Sequence, residues 1–126
     1  YERAAFSQYF ELDIVTFYKF SKDGKFELEA FLRNPNSREL VHYFYVVEGN
    51  FRATQNTIVV ENVEQYSEDP YRAEKDSKKE DLIKGIIGST SFSIKYELRN
   101  NANEFFIPGS CFDDTCSQDE SFERIN

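Results

Sequence analysis

A chain of 126 residues predicts one domain, and a domain of that size buries roughly 65% of the surface its unfolded chain exposes, so it needs no metal to fold. A net charge of −8 argues against nucleic acid and anionic lipid as partners, because both demand a basic face. Aromatics make up 17%, with 13 Phe and 8 Tyr, and such side chains suit pleated, half-buried strands rather than helices.

No apolar run of about 18 residues is present, so no transmembrane segment is predicted. No signal peptide is visible either. The chain starts at Tyr1 and contains no Met, which predicts an excised or mature fragment and leaves room for an upstream signal or lipid anchor. Within residues 1–10, Tyr1, Ala4, Ala5, Phe6, Tyr9 and Phe10 are spaced for a short helix or an irregular plug.

Residues 12–20, LDIVTFYKF, predict a strand covered on both faces, with Leu12, Ile14, Tyr18 and Phe20 on one parity and Val15 and Phe17 on the other. The following Asp23-Gly24 lies between two β runs, a hairpin signal that rests on glycine's tolerance of positive φ. The second arm, KFELEAFLR, alternates cleanly: Phe26, Leu28, Ala30 and Leu32 face a core or cavity, and Lys25, Glu27, Glu29 and Arg33 face water. After the turn composition of NPNSRE, LVHYFYVVE places Val41, Tyr43, Tyr45 and Val47 on one face and His42, Phe44 and Val46 on the other. A short piece, a turn at 54–56 and a strand from Thr57 to about Tyr66 follow.

Residues 67–88 differ: half of them are charged and no period-2 pattern survives. They read as a solvated loop, as a connection with a short helix near 73–83, or as a lid or binding loop. STSFSIKYELRNN then alternates more cleanly than any other stretch, with Phe92, Ile94, Tyr96 and Leu98 on one face. A turn at 100–103, a short strand EFFIP, the CFDDTC loop and a closing strand SFERI complete the chain. Seven or eight short antiparallel strands with little helix predict an all-β fold, a small meander β-barrel in a single domain spanning 1–126.

The motif order resembles a known family. TFYKFSKDGKFELEAF is similar to the Phe–Asp-Gly–Phe hairpin of small bacterial lipocalin-like domains; GNFRATQNTIVV, Gly49 to Val60, fits their later G-x-Y/F-x-x-x-x-N-T-I/L segment; and SFERI resembles their terminal aromatic-x-Arg strand. The resemblance covers roughly 12–66 and 90–126. It departs from the family at the missing Gly-x-Trp and at the 67–88 insertion. It implies a lipocalin-like barrel from an exported lipoprotein.

Chemistry is sparse. His42, the sole histidine, reads as a packed or surface residue, and no G-x-S-x-G, H-E-x-x-H or P-loop pattern occurs. Glu27 and Glu29, about 7 Å apart on one strand face, read as solvated rather than as an acid–base pair. Asp113, Asp114, Asp119 and Glu120 lack EF-hand spacing and read as a solvated acidic loop rather than a Ca²⁺ site. No cofactor is implied. Cys111 and Cys116 read as a local disulfide, which would indicate an extracytoplasmic compartment (periplasm, outer surface or secreted), with two free cytosolic thiols as the alternative.

Two binding modes remain. Tyr18, Phe20, Phe26, Leu28, Tyr43, Tyr45, Phe92 and Tyr96, if they point inward, either fill the barrel or line a cavity for a small apolar or aromatic ligand. Alternatively, loops carrying Tyr71, Arg72, Lys78, Lys79, Phe112, Asp113 and Asp114 engage a protein partner. The sequence reading favours a non-enzymatic exported binding domain using its loops, with the carrier second and an unrecognised enzyme third.

Overall fold

The computed structural model describes residues 1–71, 76–85, 90–112 and 115–125. Among these the regular structure is almost wholly strand: β1 (Glu2–Ser7), β2 (Leu12–Phe20), β3 (Lys25–Arg33), β4 (Leu40–Ala53), β5 (Thr57–Ser67), β6 (Ile83–Lys84), β7 (Phe92–Lys95), β8 (Glu97–Arg99), β9 (Glu104–Ile107), β10 (Cys111–Phe112), β11 (Thr115–Cys116) and β12 (Glu120–Glu123). Its one described helical element is a 3-10 turn at Lys79–Asp81.

All pairings are antiparallel. One sheet runs β6-β5-β4-β3-β2-β1-β12-β9-β8, a path that is not closed, with β7 also resting on β5; β10 and β11 form a separate ribbon. The β2–β3 hairpin is built as its sequence predicts: Gly24 takes φ 83°, its N–H donates to the Ser21 carbonyl at 3.0 Å, and the Asp23 carboxylate accepts from the Lys25 N–H at 3.3 Å. In the 34–39 turn the Asn34 side chain accepts from the Asn36 and Ser37 N–H groups at 2.9 and 3.0 Å.

The expected N-terminal helix is a strand instead. β1 pairs residue for residue with β2 and touches β12 at Glu2, so its backbone groups find partners all along the β2 side and at one end of the other. A helix of so few residues would be marginal in water, and the apolar positions that suggested one do not form a buried face: Phe6 and Tyr9 lie on the surface. The predicted strand 92–99 is broken at Tyr96. Upstream of the break it pairs with β5 and downstream with β9, while the Tyr96 N–H donates to the Asn56 carbonyl at 3.1 Å.

A cluster packs on each side of the sheet. One is Phe26, Ile58, Val60, Phe105 and Phe122 with partly buried neighbours including Tyr18, Phe20, Leu28, Phe92 and Tyr96. The other is Val15, Phe31, Tyr43, Val46 and Leu82, flanked by Phe17 and Tyr66. Because both faces of β3 are covered, residues 29–33 are all buried, including the charged Glu29 and Arg33.

Tyr43 is the second correction. It and Tyr45 share a parity in sequence, yet Ala30 lies opposite Tyr45 and the next residue, Phe31, lies opposite Tyr43. The extra residue, Phe44, is a bulge that flips the upstream half of β4, which sends Tyr43 to the second cluster and away from the first. A further irregularity at Gly49 matches positive φ at Asn62 on the facing strand (54°).

Strict alternation of strand direction sorts the connections into two groups. Residues 8–11 and 34–39 and the described parts of the connections after β5 (68–71 and 76–82) and after β9 (108–112 and 115–119) emerge at one end of the sheet; 21–24, 54–56 and 100–103 emerge at the other.

Candidate functional site

The first of these ends carries the site. Its turn at 8–11 is held open by Glu11 at φ 56°, and by the Phe10 N–H donating to Ser7 Oγ at 3.4 Å. The turn therefore projects its aromatics instead of burying them. Tyr9 is 89% exposed and Phe6 59%. Tyr9 packs edge-on against Phe10 (4.9 Å between centroids), Phe10 reaches Phe44 (6.2 Å) and Phe44 reaches His42 (5.1 Å). The bulge that displaced Tyr43 is what leaves Phe44 free to join this row.

His42 in turn anchors the charged connection. Its Nδ1 accepts the Ser77 N–H at 2.9 Å and its Nε2 meets the Glu68 carboxylate. With Nδ1 accepting, Nε2 is the nitrogen directed at Glu68. Both nitrogens meet protein groups, so the histidine clasps the connection to β4. The Tyr43 N–H donates to the Ser77 carbonyl at 2.8 Å, which seats the connection on β4.

From there residues 76–84 run as a strap across the outer face of the sheet. The Lys79 ammonium bridges Glu27 at 2.6 Å and Glu29 at 2.7 Å. Partial burial would lower its pKa, but the two carboxylates outweigh that and hold the ammonium above its ordinary range. Glu27 and Glu29, read from the sequence as water-facing, are therefore the strap's mooring points, and Glu29 is nearly inaccessible beneath it. Leu82 completes the second cluster, and Lys84 pairs with Glu64 at 3.1 Å. Between strap and sheet lies a notch of about 310 Å³, lined by Leu40, Val41, His42, Tyr43, Ser77 and the exposed Lys78–Glu80.

Tyr18, Phe20, Phe26, Leu28, Phe92 and Tyr96 do come together, around Phe105 and Phe122. Five rings surround Phe105: Tyr1 at 5.3 Å, Tyr18 at 5.4 Å, Phe20 at 5.5 Å, Tyr96 at 5.6 Å and Phe122 at 6.1 Å. That is the spacing of a packed aromatic core. The Tyr96 hydroxyl is spent at the rim, donating to the Thr54 carbonyl at 2.7 Å. Tyr45 stands in a row across four strands with Ala30, Thr16 and Arg3, and Arg3 meets Glu120 at 3.5 Å. Burial, then Glu120 and Tyr45, pushes the Tyr18 phenol up to about 12; burial and Glu120 raise Tyr45 as well.

Of the expected loop residues, Tyr71 is exposed and Lys78 and Lys79 belong to the strap. Arg72, Asp113 and Asp114 lie outside the described residues, as do the side chains of Cys111 and Phe112. The backbones of Cys111 and Cys116 stand directly opposite each other in the β10–β11 ribbon, and the Asp119 carboxylate accepts the Gly109 N–H at 2.6 Å. Among the described residues no group of three or more His, Cys, Asp or Glu is placed to hold a metal, and no helix is long and apolar enough to cross a membrane. Tyr9, Phe10, Leu40 and Phe44 were not singled out by sequence reasoning. The available signal was an adjacent aromatic pair in SQYFE, between two polar residues and a charge, where a turn exposes what a helix would bury.

Comparison with family models, with curated proteins and with solved structures finds no match for this chain.

Proposed function

We propose that this domain is a non-enzymatic, exported binding module that engages a protein partner through the end of its sheet that carries the 8–11 and 34–39 turns and the described parts of the connections after β5 and β9. One observation carries the reading. The ring row Tyr9–Phe10–Phe44–His42 leads from solvent to an apolar notch beside a strap that is moored at several points. Exposed aromatics next to a concave anchor site are what a protein interface uses, and a clamped strap keeps that anchor site formed without a large ordering cost. A packed ring cluster around Phe105 weighs the interior toward scaffold rather than carrier.

The scaffold reads as a lipocalin-like barrel. Its support is the stretch 92–99, whose β7 half rests on β5 and whose β8 half, one residue later, rests on β9, so that a single run of chain touches both arms of the sheet. Export rests on a Cys111–Cys116 bridge, supported by their in-register pairing. A thiol assay on unreduced, denatured protein is expected to find no titratable thiol; two would withdraw the compartment.

The function is tested by affinity capture from the source organism, using the intact chain and a Tyr9→Ser/Phe10→Ser variant. A partner retained by the first and lost by the second is expected. Native mass spectrometry that finds a co-purifying small molecule and no partner would favour the carrier instead.

A further inference from the structure

The same end of the sheet has a charge character that the binding reading did not require. Among the described residues its connections and strand ends carry Glu11, Asp13, Glu39, Glu68, Asp69, Asp76, Glu80, Asp81 and Asp119, against the exposed Arg38 and Lys78, with Arg33 committed to Glu2 at 2.9 Å and Lys79 to Glu27 and Glu29. The opposite end carries Lys19, Lys22, Lys25, Arg52, Arg99 and Arg124 beside Asp23, Glu61, Glu97 and Glu123, with Lys25 paired to Asp23, Arg52 to Glu61 and Arg99 to Glu97. The net charge of −8 is therefore not spread evenly: an acidic excess surrounds the aromatic row, whereas cations and carboxylates are nearly matched at the far end. An uneven field of this kind steers charged partners to one surface.

Resting on the partner-binding reading, we infer that the occupant of this surface is a basic segment of another protein, with one apolar side chain in the notch between Leu40, Tyr43 and Ser77 and flanking Lys or Arg residues over the surrounding carboxylates. The notch, about 310 Å³ with largely apolar walls, suits a single large side chain. The rings of Phe10 and Phe44 beside it offer faces for guanidinium groups. Charge complementarity also decides against a second copy docked face to face, since a two-fold pairing would bring the same carboxylates together.

The experiment uses labelled synthetic peptides of one length in fluorescence anisotropy with the intact chain. Three are needed: Lys/Arg flanking one Leu, the same flanks around Ser, and Glu flanks around Leu. The basic Leu peptide is expected to bind at least about tenfold more tightly than either control, with affinity falling as salt rises. Glu11→Lys/Glu39→Lys, on two exposed positions, is expected to weaken it by about tenfold and flatten the salt dependence. Phe10→Ser should weaken binding at every salt concentration. Equal binding of the Glu-flanked peptide that Phe10→Ser abolishes would overturn the basic occupant while leaving the surface intact. Binding that neither variant alters, or no binding by any peptide, overturns the inference. So does concentration-dependent self-association in sedimentation, or capture by anionic vesicles in preference to peptide.

Discussion

Phe105→Ala separates a packed interior from a hollow one. Phe105 is 1% exposed and touches five other rings at 5.3–6.1 Å, so truncation removes a whole buried aromatic and half of five ring pairs at once. Buried Phe→Ala changes cost about 3–5 kcal/mol, and a site whose neighbours are themselves rings collapses poorly, which places this one in the upper half of that range. Against a total stability of about 5–15 kcal/mol for a domain, the loss is large. With a urea dependence of about 2 kcal/mol per molar, the midpoint should fall by roughly 2 M. Equilibrium urea unfolding followed by far-UV circular dichroism reads this directly. Phe105→Leu, which keeps most of the volume, should cost only about 1–1.5 kcal/mol. A loss below about 2 kcal/mol for the alanine variant would mean that the rings line a space rather than fill it, and the scaffold reading would give way to the carrier.

Alkaline pH gives a second test. The Tyr18 phenol, raised to about 12 by burial and then by Glu120 and Tyr45, stays neutral in the fold where the unfolded chain ionises. Its folded pKa lies above its unfolded one, so its contribution is fully present below about pH 10 and is lost between about pH 10 and 12, amounting to about 2–3 kcal/mol. Tyr43, Tyr45 and Lys79 are shifted upward too and act in the same direction. Urea midpoints across that window should decline, and less steeply in Tyr18→Phe; a flat profile would refute the argument. Gly49→Ala should destabilise by about 1–3 kcal/mol, because a Cβ there would lie 2.8 Å from the Glu61 carbonyl oxygen and 2.8 Å from Val60 Cγ1, and the carbonyl cannot retreat without disturbing the β4–β5 ladder. Lys79→Met leaves the nearly inaccessible Glu29 without its cation and should destabilise the fold by about 1–3 kcal/mol while speeding hydrogen exchange at residues 77–84; unchanged exchange would show that Lys79 does not moor the strap.

The sequence was most legible where one residue type has one physical solution. Asp23-Gly24 set a hairpin, and the alternation in 25–33 set a strand of those bounds. It was least legible where a single residue changes the register of everything beyond it. Nothing in LVHYFYVVE announces that Phe44 is a bulge, because Tyr43, Phe44 and Tyr45 all favour strands equally and only the facing Ala30–Phe31 pair decides which is left over. That one displacement moved Tyr43 out of the expected interior and delivered Phe44 to the surface row. Likewise Tyr9 and Phe10 are apolar at helical spacing, and they are displayed because residues 2–7 pair with β2 and leave 8–11 as the turn between them. The scaffold is thus written in local periodicity, whereas the candidate surface arises where long-range pairing overrides it: an aromatic left unpaired by a bulge, a turn held open by a left-handed glutamate, and a charged strap clasped by the only histidine. Features of that kind give no periodic signal, so a reading by periodicity finds the walls of this domain before it finds the face it offers to others.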